Sequence, residues 1–306
     1  MNTPSSRDPQ VIAAMPATRP LYWSVRRELW ENRSIYIAPL AVAALGLFGF
    51  LIALIKRPKE EGLAAISRSF QSTALAMPYS HLAMLLLLIA LIVAVFYCLD
   101  ALYGERRDRS ILFWKSLPVS DLTTVLSKAS IPLVVLPLVV FAIAVAVQLA
   151  MLLLSVVALL MSGGSVATLW RQLPLFQLQA VLLYTLAVLT LWYAPIYAWL
   201  LLISAWARRT TFLWALLPPL AVALVELIAF HTSYFGSLLR ERFIGFAPKA
   251  FNFRMPDGSW IDPHFIPITQ ITPGRFLGSP GLWIGLLFAA AFLAAAVRLR
   301  RYREPI

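Results

Sequence analysis

Apolar residues run on for roughly the length of a membrane crossing at six places in the chain, separated by short polar segments rich in arginine. The runs are Ser34–Ile55, His81–Leu102, Ile131–Met161, Leu178–Ala207, Phe212–Phe230 and Leu282–Val297. About 20 helical residues span the ~30 Å of hydrocarbon in a bilayer. The apolar positions are continuous rather than alternating, which predicts helices and not the strands of a barrel. The third and fourth runs exceed one crossing and should tilt or project into water. The sixth is short, but Arg298, Arg300, Arg301 and Arg303 follow it, as suits a helix leaving the membrane.

Upstream of the first run, residues 20–33 have the pattern of a helix lying at the interface. Tyr22, Val25 and Leu29 are expected to share a face, flanked by Trp23 and Trp30, with Arg27, Glu28 and Glu31 opposite; Arg26 must snorkel. Residues 231–281 are too polar to span, yet they carry Tyr234, Phe243, Phe246, Phe251, Phe253, Trp260, Phe265 and Phe276. That balance predicts a segment folded back on the outer membrane face. The expected fold is therefore an all-α polytopic membrane protein with six transmembrane helices, an N-terminal interfacial helix and a folded outer segment before the last helix. Residues 1–306 form a single transmembrane domain. Its parts are a tail and interfacial helix (1–33), spans one to five (34–230) with an elbow at 103–130, an outer loop (231–281), and span six with a basic tail (282–306).

Composition strengthens this picture: 60% of the 306 residues are hydrophobic and 13% are charged, against about 45–50% and about 25% in soluble domains. The net charge of +12 would suit a nucleic-acid binder if it were clustered. It is dispersed through the gaps between apolar runs, so it reads as topology signal and lipid-headgroup contact, with no nucleic-acid partner. With the N-terminus inside, 16 Lys and Arg fall in cytoplasmic segments and 10 outside, which places both termini in the cytoplasm. The first 33 residues hold Pro9, Pro16 and Pro20 and no signal-peptide core, so the first run is expected to be retained. The lone Cys98 excludes an intramolecular disulfide and a cysteine metal cluster.

Catalytic constellations are missing: the chain has no HExxH, GxSxG or P-loop signature. An enzyme or receptor-like scaffold would lack a recognisable nucleophile and base. His81, His231 and His264 are scattered and are not expected to share a metal. Ionisable groups within membrane runs are functional candidates by default. Glu226, which follows Pro218 and Pro219 in the fifth run, is the clearest; Asp100 lies where it can reach water. Gln148, Gln177 and Gln179 can line a path or join helices. One function class follows directly, a proton-coupled secondary transporter using Glu226.

The segment Tyr103-Gly-Glu-Arg-Arg-Asp-Arg-Ser-Ile-Leu-Phe-Trp-Lys-Ser-Leu-Pro-Val-Ser-Asp-Leu-Thr-Thr-Val-Leu-Ser-Lys128 carries more. Charged residues 105–109 lead into an amphipathic turn with Phe113 and Trp114, and Pro118 breaks the helix. Ser120 is placed to cap a new helix, with Asp121 near its positive end. Glu105-Arg-Arg-Asp-Arg-Ser-Ile, Ser116-Leu-Pro-Val-Ser and Leu126-Ser-Lys128 resemble the segment after the second span of ABC-2-type transporter permeases. Asp108-Arg-Ser110 departs from the Gly-Thr common there. The resemblance implies the membrane subunit of an ATP-binding-cassette exporter in a bacterial plasma (inner) membrane. It implies a second permease chain, identical or related, and separate cytosolic ATPase subunits that hold ATP and Mg; hydrolysis and cofactors would lie outside this chain. Residues Glu105, Arg106, Arg107, Asp108, Ser110, Phe113, Trp114, Lys115, Pro118 and Asp121 would contact the ATPase, and Gln148, Gln179 and Glu226 would border the path.

Overall fold

The computed structural model describes residues 18–56, 72–108, 119–161, 174–253 and 267–302, with the backbone alone at 18–19 and 72–76. All regular structure among these residues is helical, apart from one isolated antiparallel bridge between Phe251 and Ile271. The helices are α1 (Thr18–Glu31), α2 (Ser34–Lys56), α3 (Ser72–Asp100), α4 (Tyr103–Arg107), α5 (Asp121–Ser130), α6 (Leu136–Met161), α7 (Leu175–Trp206) and α8 (Thr211–Phe230). A cap follows, with α9 (Tyr234–Ile244), α10 (Ala247–Ala250), a 3₁₀ turn (Ile268–Gln270) and α11 (Pro273–Leu277), before α12 (Pro280–Tyr302).

Six helical segments are long and apolar enough to cross a membrane: Ser34–Lys56, Met77–Arg107, Asp121–Met161, Leu175–Trp206, Thr211–Phe230 and Pro280–Tyr302. The chain is a polytopic, all-α membrane protein built as a six-helix bundle. The third segment joins α5 to α6 through a π-helical stretch, Ile131–Val135. Pro132 and Pro137 each lack the N–H that a regular α-helical ladder needs, and a widened turn absorbs that loss without ending the helix.

Helix α7 is the axis of the bundle. Its Leu186, Trp192, Tyr193, Tyr197 and Leu201 are buried, and it packs against α3, α6, α8 and α12. Helix α2 packs on α3 and α6, and Gly46 sets the approach of α2 to α3: a Cβ there would overlap Leu82 Cδ1. Small residues at such crossings let apolar helices pack closely where no hydrophobic force draws them together. Helix α8 is the outlier, with no buried residue and Leu217, Leu224, Val225 and Ile228 all exposed. Its two flanking residues, Thr210 (φ 46°) and His231 (φ 50°), are left-handed, so tight reversals bracket it.

The charged faces of α1 depart from expectation. Glu28 is fully buried against the bundle, while Tyr22, Trp23 and Trp30 are exposed. Positions three apart lie on one helix face, so Glu28 sits beside Val25 rather than opposite it. The exposed rings hold Arg26, whose guanidinium lies 5.2 Å from the Trp23 ring and 5.1 Å from the Trp30 ring.

The cap is tied to α7 by side-chain donors. Trp192 Nε1 donates to Arg242 O at 2.8 Å and Tyr193 Oη to Phe243 O at 2.8 Å. These are carbonyls of the last turn of α9, which have no partner within their own helix. Tyr184 Oη likewise donates to Ala250 O at 3.1 Å.

Candidate functional site

At one end of the bundle α1, α4, α5 and the C-terminal end of α12 converge on a buried ion-pair hub. Lys128 Nζ lies 2.8 Å from Glu28 Oε1 and 3.1 Å from Glu105 Oε1. Arg27 Nη2 reaches the same two oxygens at 2.9 and 3.1 Å. Arg300 pairs with Glu105 Oε2 and, 3.2 Å away, with Asp121 Oδ1. Tyr97 Oη donates to Glu28 Oε2 at 2.8 Å. Three carboxylates thus face three cations, and Glu28, Glu105, Lys128 and Arg300 are all less than a tenth exposed. Charges removed from water persist only when paired and hydrogen-bonded this densely.

The rim shows the same balance. Burial pulls the Arg27 guanidinium down, but Glu28 beside it outweighs this and holds it above its ordinary value. On Glu31, burial raises the carboxyl above its usual range against the opposing pull of Arg27.

Local sequence explains how the hub is assembled. Ser120 caps α5 by accepting from Thr123 N at 3.1 Å, which starts the helix where Asp121 and Lys128 both face the hub. The start of α4 is held by α7: Ser204 Oγ accepts from Leu102 N at 3.0 Å and Tyr103 N at 2.9 Å. In return Arg106 Nη2 donates to Ser204 O at 2.9 Å and Ala207 O at 2.5 Å. The unpaired amides that open one helix and the unpaired carbonyls that close another are satisfied across the same joint.

The elbow residues therefore divide. Glu105 and Arg106, expected among the ATPase contacts, are turned into the bundle, where they brace it. Burial follows because each has buried partners of opposite polarity on a neighbouring helix. Arg107 and Asp108 are exposed and pair with each other at 2.9 Å. The Arg107 hydrogen bond holds the Asp108 carboxyl below its usual range. Ser110, Phe113, Trp114, Lys115 and Pro118 lie outside the described residues. Pattern reading missed Glu28, Lys128, Arg300, Tyr97 and Ser204. A Glu beside Val25 on an amphipathic helix was the one available signal.

Gln148 and Gln179 do meet: Gln179 Nε2 donates to Gln148 Oε1, and Gln148 Nε2 donates to Tyr79 O at 3.1 Å. These bonds tie α7, α6 and α3 together deep in the bundle, as interhelical amides do. Nearby, α2 and α3 bound an apolar cleft of about 250 Å³, lined by Phe50, Leu54, Pro78, His81 and Met151. His231 ends α8, His264 lies outside the described residues, and no group of three potential metal ligands occurs among the described residues.

Glu226 lies near the end of α8, beside the cap. Its carboxylate accepts from Thr232 Oγ1 (3.0 Å), Tyr234 N (2.7 Å) and Phe235 N (2.7 Å), capping α9. The first-turn amides of a helix attract a carboxylate, and the turn at His231 brings this one to them. In this structure Glu226, expected as a relay group, caps α9. Glu226→Ala should cost about 1 kcal/mol locally. Hydrogen exchange at Tyr234–Ser237 should accelerate while exchange in α7 stays unchanged; faster exchange throughout the bundle would mean a wider role.

No protein family, curated protein or solved structure matches this chain. What the chain itself establishes is a multi-pass membrane bundle capable of forming a translocation path, with a balanced charge cluster buried at one end.

Proposed function

We propose that this protein is a proton-coupled membrane transporter whose protonation site is the ion-pair hub. The observation that carries the reading is Glu28, fully buried, sharing Lys128 with Glu105 and accepting from Tyr97. A proton added to either carboxylate turns a balanced cluster into one with an excess buried positive charge. Such a charge is expensive, so protonation favours an arrangement in which α1, α5 and α12 separate and admit water. A proton then drives a population shift because it binds the two arrangements with different affinity. The hub end faces the cytoplasm of a plasma membrane in this reading, since Arg26, Arg27, Arg33, Arg208, Arg209, Arg298 and Arg301 gather there.

A second reading, the ABC-2-type permease subunit, is favoured by one observation. Arg107 and Asp108 are exposed directly before the segment that leads to α5, and α5 carries Asp121 and Lys128 of the hub. A cytosolic ATPase pressing on that elbow would pull on the same ion pairs. It would require ATP and Mg on the ATPase and a second permease chain beside this one.

One experiment separates the two. Spin labels at exposed Trp30 and Tyr302, in a Cys98→Ala background, report the separation of α1 from α12 in liposomes without any ATPase. Lowering pH should populate a second, longer distance, and Glu28→Gln should hold that distance at neutral pH. A separation that ignores pH and responds only to an added ATPase with nucleotide overturns the proton reading in favour of the second.

A further inference from the structure

At the end of the bundle opposite the hub, a cationic cluster surrounds the indole of Trp192. The Arg242 guanidinium lies 4.6 Å from the ring centroid and Lys249 Nζ lies 4.8 Å from it. Arg242 Nη1 donates to Gly281 O at 3.1 Å, at the start of α12. The guanidinium rests against Gly285, where a Cβ would overlap Nη2. Its Nε and Nη2 have no acceptor among the described residues, although both are buried.

The one acid in the described part of the cap, Glu241, is taken by Lys249. Among the described residues, Arg240, Arg242, Lys249 and Arg275 therefore give this surface an excess of positive charge. Burial, only partly offset by Glu241, pushes the Arg242 guanidinium down to about 10. A partly desolvated cation with no acid beside it among the described residues is stabilised by a bound anion.

The surroundings say which kind. Leu238, Phe243, Ile244, Leu277 and Trp283 are all exposed around the cluster. Apolar and aromatic side chains presented this way at the end of a membrane bundle lie among lipids at the headgroup level. Water-soluble anions would have to approach past them, whereas lipid phosphates already stand at that depth.

We propose that Arg242, Lys249 and Trp192 form a binding site for the phosphate of an anionic phospholipid at the cap end of the bundle. The forked guanidinium takes two phosphate oxygens once the headgroup draws it outward from Gly285. Lys249, paired with Glu241 on the exposed side and lying over the same ring, adds a second charge. Trp192 holds both cations in place through its ring face. The acyl chains lie along the exposed apolar residues of α9 and α12. The site is independent of the transport reading, because none of its residues touches the hub.

The test uses the purified full chain in an uncharged detergent. Short-chain phosphatidylglycerol is titrated and retained lipid is counted by native mass spectrometry, with phosphatidylcholine, glycerol phosphate and inorganic phosphate as comparisons. Phosphatidylglycerol should bind in preference to phosphatidylcholine, and neither small phosphate should displace it. Arg242→Gln should weaken binding about tenfold, as loss of a charge-assisted hydrogen bond predicts. Lys249→Gln should weaken it as well, because it removes the second charge over the ring, and it carries the test if Arg242→Gln does not fold. Glu28→Gln in the hub should leave lipid binding as it was. Equal binding of the two lipids, or wild-type affinity in both Arg242→Gln and Lys249→Gln, overturns the site. Displacement by inorganic phosphate or glycerol phosphate overturns its assignment to lipid.

Discussion

Lys128→Met is expected to destabilise the bundle by about 3–5 kcal/mol, the range for breaking a buried ion pair from one side. Methionine keeps the stem of the lysine and its packing, so the loss isolates the charge. Two buried carboxylates, Glu28 and Glu105, lose the ammonium they share. Arg27 and Arg300 remain, but each already serves another acid. The loss should be largely reversed by adding Glu28→Met, because removing both members of a buried pair leaves no orphaned charge. Unfolding in mixed micelles, followed by circular dichroism, checks both values. A single variant as stable as wild type would show that water reaches the hub, and the protonation argument would fall with it.

The second large effect is expected at the joint between α4 and α7. Arg106→Ala removes two charge-assisted hydrogen bonds and leaves the Ser204 and Ala207 carbonyls without that partner. A loss of about 2–4 kcal/mol follows. Arg106→Lys should recover part of it, since an ammonium can serve one carbonyl well but lacks the guanidinium fork. The distinguishing readout is local: amide exchange should rise at Tyr103–Arg107 and at Ile203–Ala207 together. Faster exchange in α4 alone would mean that Arg106 holds its own helix and not the joint.

The membrane helices were legible in the sequence because lipid imposes one simple demand, about 20 apolar residues per crossing with every backbone group satisfied internally. The six runs predict the observed helices to within a few residues, except that α3 begins at Ser72, well before His81. The start of α5 was legible for a similar reason: a capping Ser120 acts within a few residues of itself. Partners distant along the chain left no such trace. Arg300 lies 195 residues from Glu105 and Lys128 lies 100 from Glu28. Seen alone, each is one more charge at the end of an apolar run, and the topology reading accounts for it without any partner. Glu226 shows the converse, since an acid inside an apolar run looks functional until the turn at His231 brings the amides of α9 to it.

By itself, then, the sequence determined that this protein crosses a membrane, how many times, and where the helix leading into the third crossing starts. Those properties follow from transfer between water and lipid and from backbone chemistry, which act on contiguous residues. Only the tertiary structure decided which charges face each other, that Glu105 and Arg106 brace the bundle from within, and that Arg242 lies against Gly285. Electrostatics in a desolvated interior depends on separations of a few ångströms between residues far apart in the chain. Helix packing sets those separations.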